Sequence, residues 1–209
     1  MMINPKQDYP NKYLFEHDLK GKFPNELISA IHQSPVLLGQ IVNIILEKNF
    51  PETLHQEILD AVGLDINLAP SNFIHKSTRI RDPRFREAVL KAYQYRCAVC
   101  GCGVRLRDKL MALEAAHIKW HQAGGPDLEV NGITLCSIHH KLFDLGAFMI
   151  GQELRILVSD EVNGAGADEW LFRHHGNPLI SPQNKRYYPK LEFIQWHVEE
   201  VFKGGYMNF

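Results

Sequence analysis

Nothing in the 209-residue chain is apolar for long enough to cross a bilayer. Its first eighteen residues lack the basic start and apolar core of an export signal. Net charge is almost missing too, at −1 with a sequence pI of about 6.8, which argues against a protein that coats a polyanion by bulk charge. Neither internal repeats nor low-complexity segments are present, so a repeat array is excluded. Cysteine is scarce: four residues without an export signal suit metal ligands or reduced thiols better than a disulfide framework. These absences point to a cytoplasmic chain with no membrane partner. Its hydrophobic share of 45% and charged share of 22% are those of a globular protein, long enough for one domain with an attached subdomain.

What is present concentrates between Arg96 and Phe148. Cys97 and Cys100 form a CxxC, and Cys136 and His139 a CxxH. Two such pairs supply the four N/S ligands of a tetrahedral structural zinc site, one pair from a tight turn and the other from the start of a helix. Cys102 shares the Cys100 turn and reads as a non-ligating thiol, with a spare or alternative ligand as the other reading. Interleaved with these are His117, Asn131 and His140. A histidine beside a zinc ligand, as His140 is beside His139, is aimed by the same backbone that the metal fixes.

Around this centre the periodicity predicts helices over 25–33, 36–48 and 51–62, with Ser34 capping and Pro35 opening the second. They read as core helices without chemistry, and residues 64–81 as a basic linker. A helix capped by Asp82 should run to about Tyr95, burying Phe85, Val89, Leu90 and Tyr93. Next come a strand over 110–118, a glycine-containing loop over 119–130, a strand over 133–136 and a helix over 137–145. A hairpin over 147–158 and amphipathic helices over 168–175 and 190–202 complete an α+β chain.

Hydrolysis of a phosphodiester needs a base for water, a cation for the developing charge, and donors that grip flanking phosphates. Histidine suits the base because its ordinary pKa is near 6.5. His117, at the end of the first strand, is the candidate, with His140 placed to hold a hard metal. Asn131 can bond backbone across the loop and hold His117 in place. Ten basic residues lie between Ile74 and Lys109, against Asp82, Glu87 and Asp108. This local surface, with Arg79, Arg81, Arg84 and Arg86 at its centre and Lys119, His121 and Lys141 nearby, suits a phosphate backbone.

The segment resembles the HNH endonucleases through RCAVCG at 96–101, EAAHI at 114–118, GGPD at 124–127, NG at 131–132, LCSIHH at 135–140, and Phe143-Asp144 before Gly146. The resemblance implies a zinc-stapled ββα-metal nuclease core within 82–209, while the periodicity supplies the helical subdomain over 1–63 and the C-terminal flanking helices. The resemblance also implies His117 as general base, Asn131 as the middle asparagine and His140 as last histidine and catalytic-metal ligand. Double-stranded DNA is the implied partner, Zn²⁺ the structural metal, and Mg²⁺, Mn²⁺ or another divalent cation the catalytic one. A homodimer is left open. Many members carry an acid or second histidine where this chain has Ala116. Glu114, two residues earlier on the same strand face, or water would then complete the metal shell.

More narrowly, FPETLH at 50–55, DPRFR at 82–86 and EFIQWH at 192–197 resemble the C-terminal part of McrA-like, phosphorothioate-DNA-dependent restriction endonucleases. Residues 1–63 would then be the end of a DNA-recognition domain. The alternative is a zinc-stapled DNA-binding or interaction module without catalysis.

Overall fold

The computed structural model describes residues 23–64 and 83–206. Expectations for the linker, with Arg79 and Arg81, and for the Asp82 cap lie outside the described residues. The chain divides into two compact units, 1–42 and 43–209.

In the first unit, helix α1 (Asn25–Gln33) is followed by the opening turns of α2 (Pro35–Asn49). Ser34 Oγ accepts the Leu37 N–H at 3.3 Å, while Pro35 takes the first helical position, where no amide donor is needed. Expected as core helices, these turns differ: among the described side chains none before Leu46 is buried.

The second unit holds the rest. The helix expected over 51–62 is a 3₁₀ turn (Glu52–Leu54) leading into α3 (His55–Ala61). Leu54 and Leu59 are buried, but Val62, expected inward, is exposed. Helix α4 (Pro83–Ala92) buries Phe85, Val89 and Leu90, and leaves Arg84, Arg86 and Lys91 exposed. It stops short of Tyr95 because Gln94 and Tyr95 adopt positive φ, 55° and 56°, swinging the chain into the CxxC turn. That turn is closed by Gly101 N–H to Cys97 O at 2.9 Å and Cys97 N–H to Cys102 O at 2.8 Å.

The strand expected over 110–118 begins later. Ala112 takes φ 51° and breaks the extended run, so Leu110 pairs instead in a small hairpin of β1 (Arg105–Leu106) and β2 (Lys109–Leu110). The strand proper, β3 (Leu113–His117), runs antiparallel to β4 (Gly132–Cys136), with Leu113 opposite Cys136 and His117 opposite Gly132. Helix α5 (Ser137–Asp144) follows β4 directly. Strand, loop, strand and helix therefore stand in the expected order. Helix α4 is bound to this pair where Arg86 Nη2 donates to Leu113 O (3.0 Å) and Thr134 Oγ1 donates to Val89 O (3.2 Å).

Strands β5 (Phe148–Ile150) and β6 (Ile156–Val158) form the expected hairpin. Residues 168–175 differ from expectation: α6 (Ala167–Trp170) lasts one turn, breaks at Leu171 (φ −129°, ψ −59°), and gives way to a 3₁₀ turn (Phe172–His174). Helix α7 (Leu191–Glu200) closes the unit. The core between these elements holds Leu90, Ile118, Ile133, Leu135, Phe143 and Phe148, all essentially without exposure. Each contributes on the order of 1.5–3 kcal/mol through burial. That core keeps β3, β4 and α5 in fixed register beneath the site.

Candidate active site and metal centre

Four side chains converge below the start of α5. The ligand atoms of Cys97, Cys100, Cys136 and His139 all lie within 4.8 Å of one another. Cys136 Sγ is 3.0 Å and Cys97 Sγ 3.7 Å from His139 Nδ1, and Cys100 Sγ is 4.0 Å from Cys136 Sγ. A tetrahedral zinc with Zn–S near 2.3 Å sets its sulfurs about 3.8 Å apart, so the cluster fits that ion. Histidine orientation fits as well. His139 Nε2 lies 2.8 Å from Trp170 O, which fixes its proton there and turns the Nδ1 lone pair to the thiols. The Cys100 and Cys97 thiols, hydrogen-bonded to Cys136, push its thiol strongly towards thiolate. Cys102 is exposed and stands outside the four.

The other set lines a cleft of about 270 Å³ whose walls include Glu114, His117, Trp120, His121, His140 and Asp144. His117 ends β3, and Phe85 of α4 stacks on its ring at 4.1 Å and 16°. The residue opposite His117 has to be small for this to happen: a Cβ on Gly132 would lie 3.1 Å from two ring atoms of Phe85 and 2.4 Å from Val89. On its edge, His117 Nε2 is 2.8 Å from Asp127 Oδ1. Asp127 is a partner that sequence reasoning missed, although GGPD had been singled out as a motif.

Asn131 is fully buried and is not among the residues that line the cleft. Its Oδ1 accepts the Lys119 N–H (2.9 Å), and its Nδ2 donates to Lys119 O (3.0 Å) and Pro126 O (3.0 Å). The side chain thus ties the Lys119 backbone to Pro126 across the loop. Gly125 permits the closure, since a Cβ there would meet Lys119 O at 1.9 Å.

Consecutive residues on α5 face different ways, because each step turns the helix by about 100°. His139 faces the thiols, and His140 faces the cleft, where its Nδ1 is 2.5 Å from Glu114 Oε2 and its Nε2 is 3.4 Å from Asp144 Oδ2. The His140 contact is the main cause holding the Glu114 carboxyl below its usual range. Burial pushes that of Asp144 up. Thr53 Oγ1 donates to Asp144, so the segment expected to carry no chemistry supplies a wall of the cleft through Pro51, Glu52 and Thr53. Ala116, by contrast, is fully buried in the core and does not line the cleft. Glu114 and His140 offer a carboxylate oxygen and an imidazole nitrogen from facing elements. That donor set fits a hard divalent ion that keeps several waters.

The expected phosphate contacts divide. Arg84 and Arg86 are exposed on α4. Lys119 Nζ lies 5.9 Å from the centroid of the Trp196 ring, and Lys141 pairs with Glu57. His121 is buried at the cleft wall, 3.9 Å from Asp127, and does not stand on the open surface.

Residues 97–151 match the sequence profile of the HNH endonuclease family. This segment is an HNH endonuclease domain. It marks the enzyme class as a nuclease, a phosphodiester hydrolase. Among curated proteins none matches. Among solved structures, a modification-dependent TagI restriction endonuclease is similar at 25% identity and a TM-score of 0.41, over 58% of this chain. The chain spans only 38% of that enzyme's length. Within the HNH domain, β3, β4 and α5 carry His117 and His140, and the CxxC turn closes against them through Ala98 N–H to Thr134 O at 2.7 Å.

Proposed function

We propose that the HNH domain cuts double-stranded DNA with the help of a divalent cation, His117 being the general base and zinc occupying the Cys97, Cys100, Cys136 and His139 cluster. The observation that carries this reading is the convergence of His117, His140 and Glu114 in one cleft beside the zinc-type cluster. When bound, a divalent ion supplies electrostatic stabilisation of the charge that develops on the phosphate and the departing 3′ oxygen. His140 and Glu114 would hold it. His117 removes a proton from water, whose oxygen attacks phosphorus. Asn131 keeps the loop that carries Asp127 closed against β3. Exposed Arg84 and Arg86, with Arg79 and Arg81 of the linker, grip flanking phosphates and set the register of the duplex. A cytoplasmic location suits a cluster that needs reduced thiols.

The test is cleavage of plasmid DNA by purified protein with Mg²⁺ or Mn²⁺. The expected result is cutting or nicking by the wild type and none by His117→Ala, with zinc content equal in both. Equal cutting by the variant removes His117 as base. Salt-sensitive DNA binding without cleavage in any divalent metal supports a binding module instead.

A finer proposal concerns the substrate. The stretches at 50–55, 82–86 and 192–197 support restriction of modified DNA, phosphorothioated DNA in particular. Parallel digestion of phosphorothioated and ordinary DNA decides this: equal rates on both rule it out.

A further inference from the structure

We propose that Asp127 is a positioning residue for His117, selecting which imidazole nitrogen acts as the base. The inference rests on the nuclease reading above and deepens it.

An ionised carboxylate is an acceptor only, so the nitrogen facing it has to carry the hydrogen. His117 Nε2 faces Asp127 Oδ1 at 2.8 Å, with side-chain exposures of 9% and 18%, where water screens the pair little. The proton therefore resides on Nε2 and the lone pair on Nδ1. The ring cannot easily turn over to reverse this, because Phe85 lies flat against it in the space left by Gly132. Asp127 is itself held. The carbonyl of its neighbour Pro126 accepts from Asn131 Nδ2, so the Asn131 clip places the carboxylate as well as closing the loop. His121 Nε2, at 3.9 Å from the same carboxylate oxygen, stands beyond hydrogen-bonding distance and leaves His117 the closer partner.

The step this arrangement serves balances simply. Nδ1 takes one proton from water as the water oxygen forms its bond to phosphorus. The bond from phosphorus to the 3′ oxygen breaks, its electron pair leaves with that oxygen, and solvent protonates it. The imidazolium formed on His117 then faces the Asp127 carboxylate, which compensates its charge.

The experiment uses the full chain, labelled with ¹⁵N on histidine and observed by long-range proton–nitrogen correlation, with DNA cleavage kinetics beside it. The expected wild-type spectrum shows His117 with a protonated Nε2 and an unprotonated Nδ1. Asp127→Ala, and Asp127→Asn as the variant of nearly equal volume, should introduce the opposite tautomer. They should also lower kcat about tenfold or more, as loss of oriented base catalysis does. KM should stay within about twofold, because no substrate contact is removed. Melting temperature and zinc content identify any variant that has merely lost its fold. A wild-type His117 protonated on Nδ1, or folded variants with kcat within about twofold of wild type, overturns the proposal. An Nε2-protonated His117 in a wild type that cuts no DNA overturns the nuclease reading instead.

Discussion

Glu114 of β3 and His140 of α5 meet through a single carboxylate oxygen, Oε2 lying 2.5 Å from Nδ1, while the other oxygen accepts from Ser137 Oγ at 2.7 Å. Both oxygens are thus fixed by the first turns of α5, and the carboxylate cannot swing out of the cleft without breaking two bonds.

From this pair follows a prediction about metal use. Glu114→Gln keeps the size of the side chain and removes its charge. If Glu114 and His140 hold the divalent ion together, the Mg²⁺ or Mn²⁺ concentration giving half-maximal cleavage should rise about 10- to 100-fold. Zinc content and melting should stay close to wild type. A metal titration of cleavage rate checks this, and an unchanged half-point removes Glu114 from the ion's shell.

Zinc removal should act on the fold rather than on the chemistry alone. The Cys97 turn, the end of β4 and the start of α5 all meet at the cluster, and His139 links it onward to Trp170. Losing even about 4 kcal/mol of binding energy would lower the melting temperature of a domain this size by roughly 10 °C. Chelation of the wild type and the substitution Cys136→Ser should both do this, as read by calorimetry. Cys102→Ser, outside the cluster and exposed, should not.

Acid sensitivity has a named source in His197. It is fully buried on α7, stacks on Phe143 at 3.8 Å, and has Nε2 3.0 Å from Phe143 O, while Nδ1 is buried without a hydrogen-bond partner among the described residues. Burial pushes its pKa down from 6.5 to about 4. The unfolded chain therefore binds a proton that the folded chain refuses, and stability falls as pH drops from 6.5 towards 4. The loss from this residue is on the order of 3 kcal/mol. Denaturant melts of wild type and His197→Phe across that range should show a shallower slope for the variant.

The convergence of Cys97, Cys100, Cys136 and His139 was legible because CxxC and CxxH are short spacings, and the place of His117 because it ends a strand. The order of strand, loop, strand and helix followed from period and turn residues. What escaped the sequence depends on pairs distant along the chain. Asp127 reaches His117 across ten residues of loop. Thr53 reaches Asp144 from ninety-one residues away, and no local pattern marks it. Ala116 looked like a gap in a metal shell because the HNH resemblance puts an acid or second histidine at its position, and alternation then offered Glu114 as the substitute. Instead it packs into the core, and Glu114 alone of the two lines the cleft. The boundary errors have local causes in the positive φ values of Gln94, Tyr95 and Ala112, none of them glycine.

Asn131 separates holding the site from performing its chemistry. Its amide satisfies both Lys119 backbone groups and the Pro126 carbonyl. Asn131→Ala would leave these inside a closed loop without their partner, at a cost of roughly 2–4 kcal/mol. Asn131→Asp should cost more, although it is nearly the same size. One carboxylate oxygen could still accept from Lys119 N–H, but the other would face two carbonyl oxygens where Nδ2 had donated. The expected order of melting temperature is wild type, then Asn131→Ala, then Asn131→Asp. Amide exchange at Lys119 should accelerate in both variants and remain at the wild-type rate in His117→Ala. Slow exchange at Lys119 in Asn131→Ala would show that the loop closes without the clip, and Asn131 would then lose its holding role.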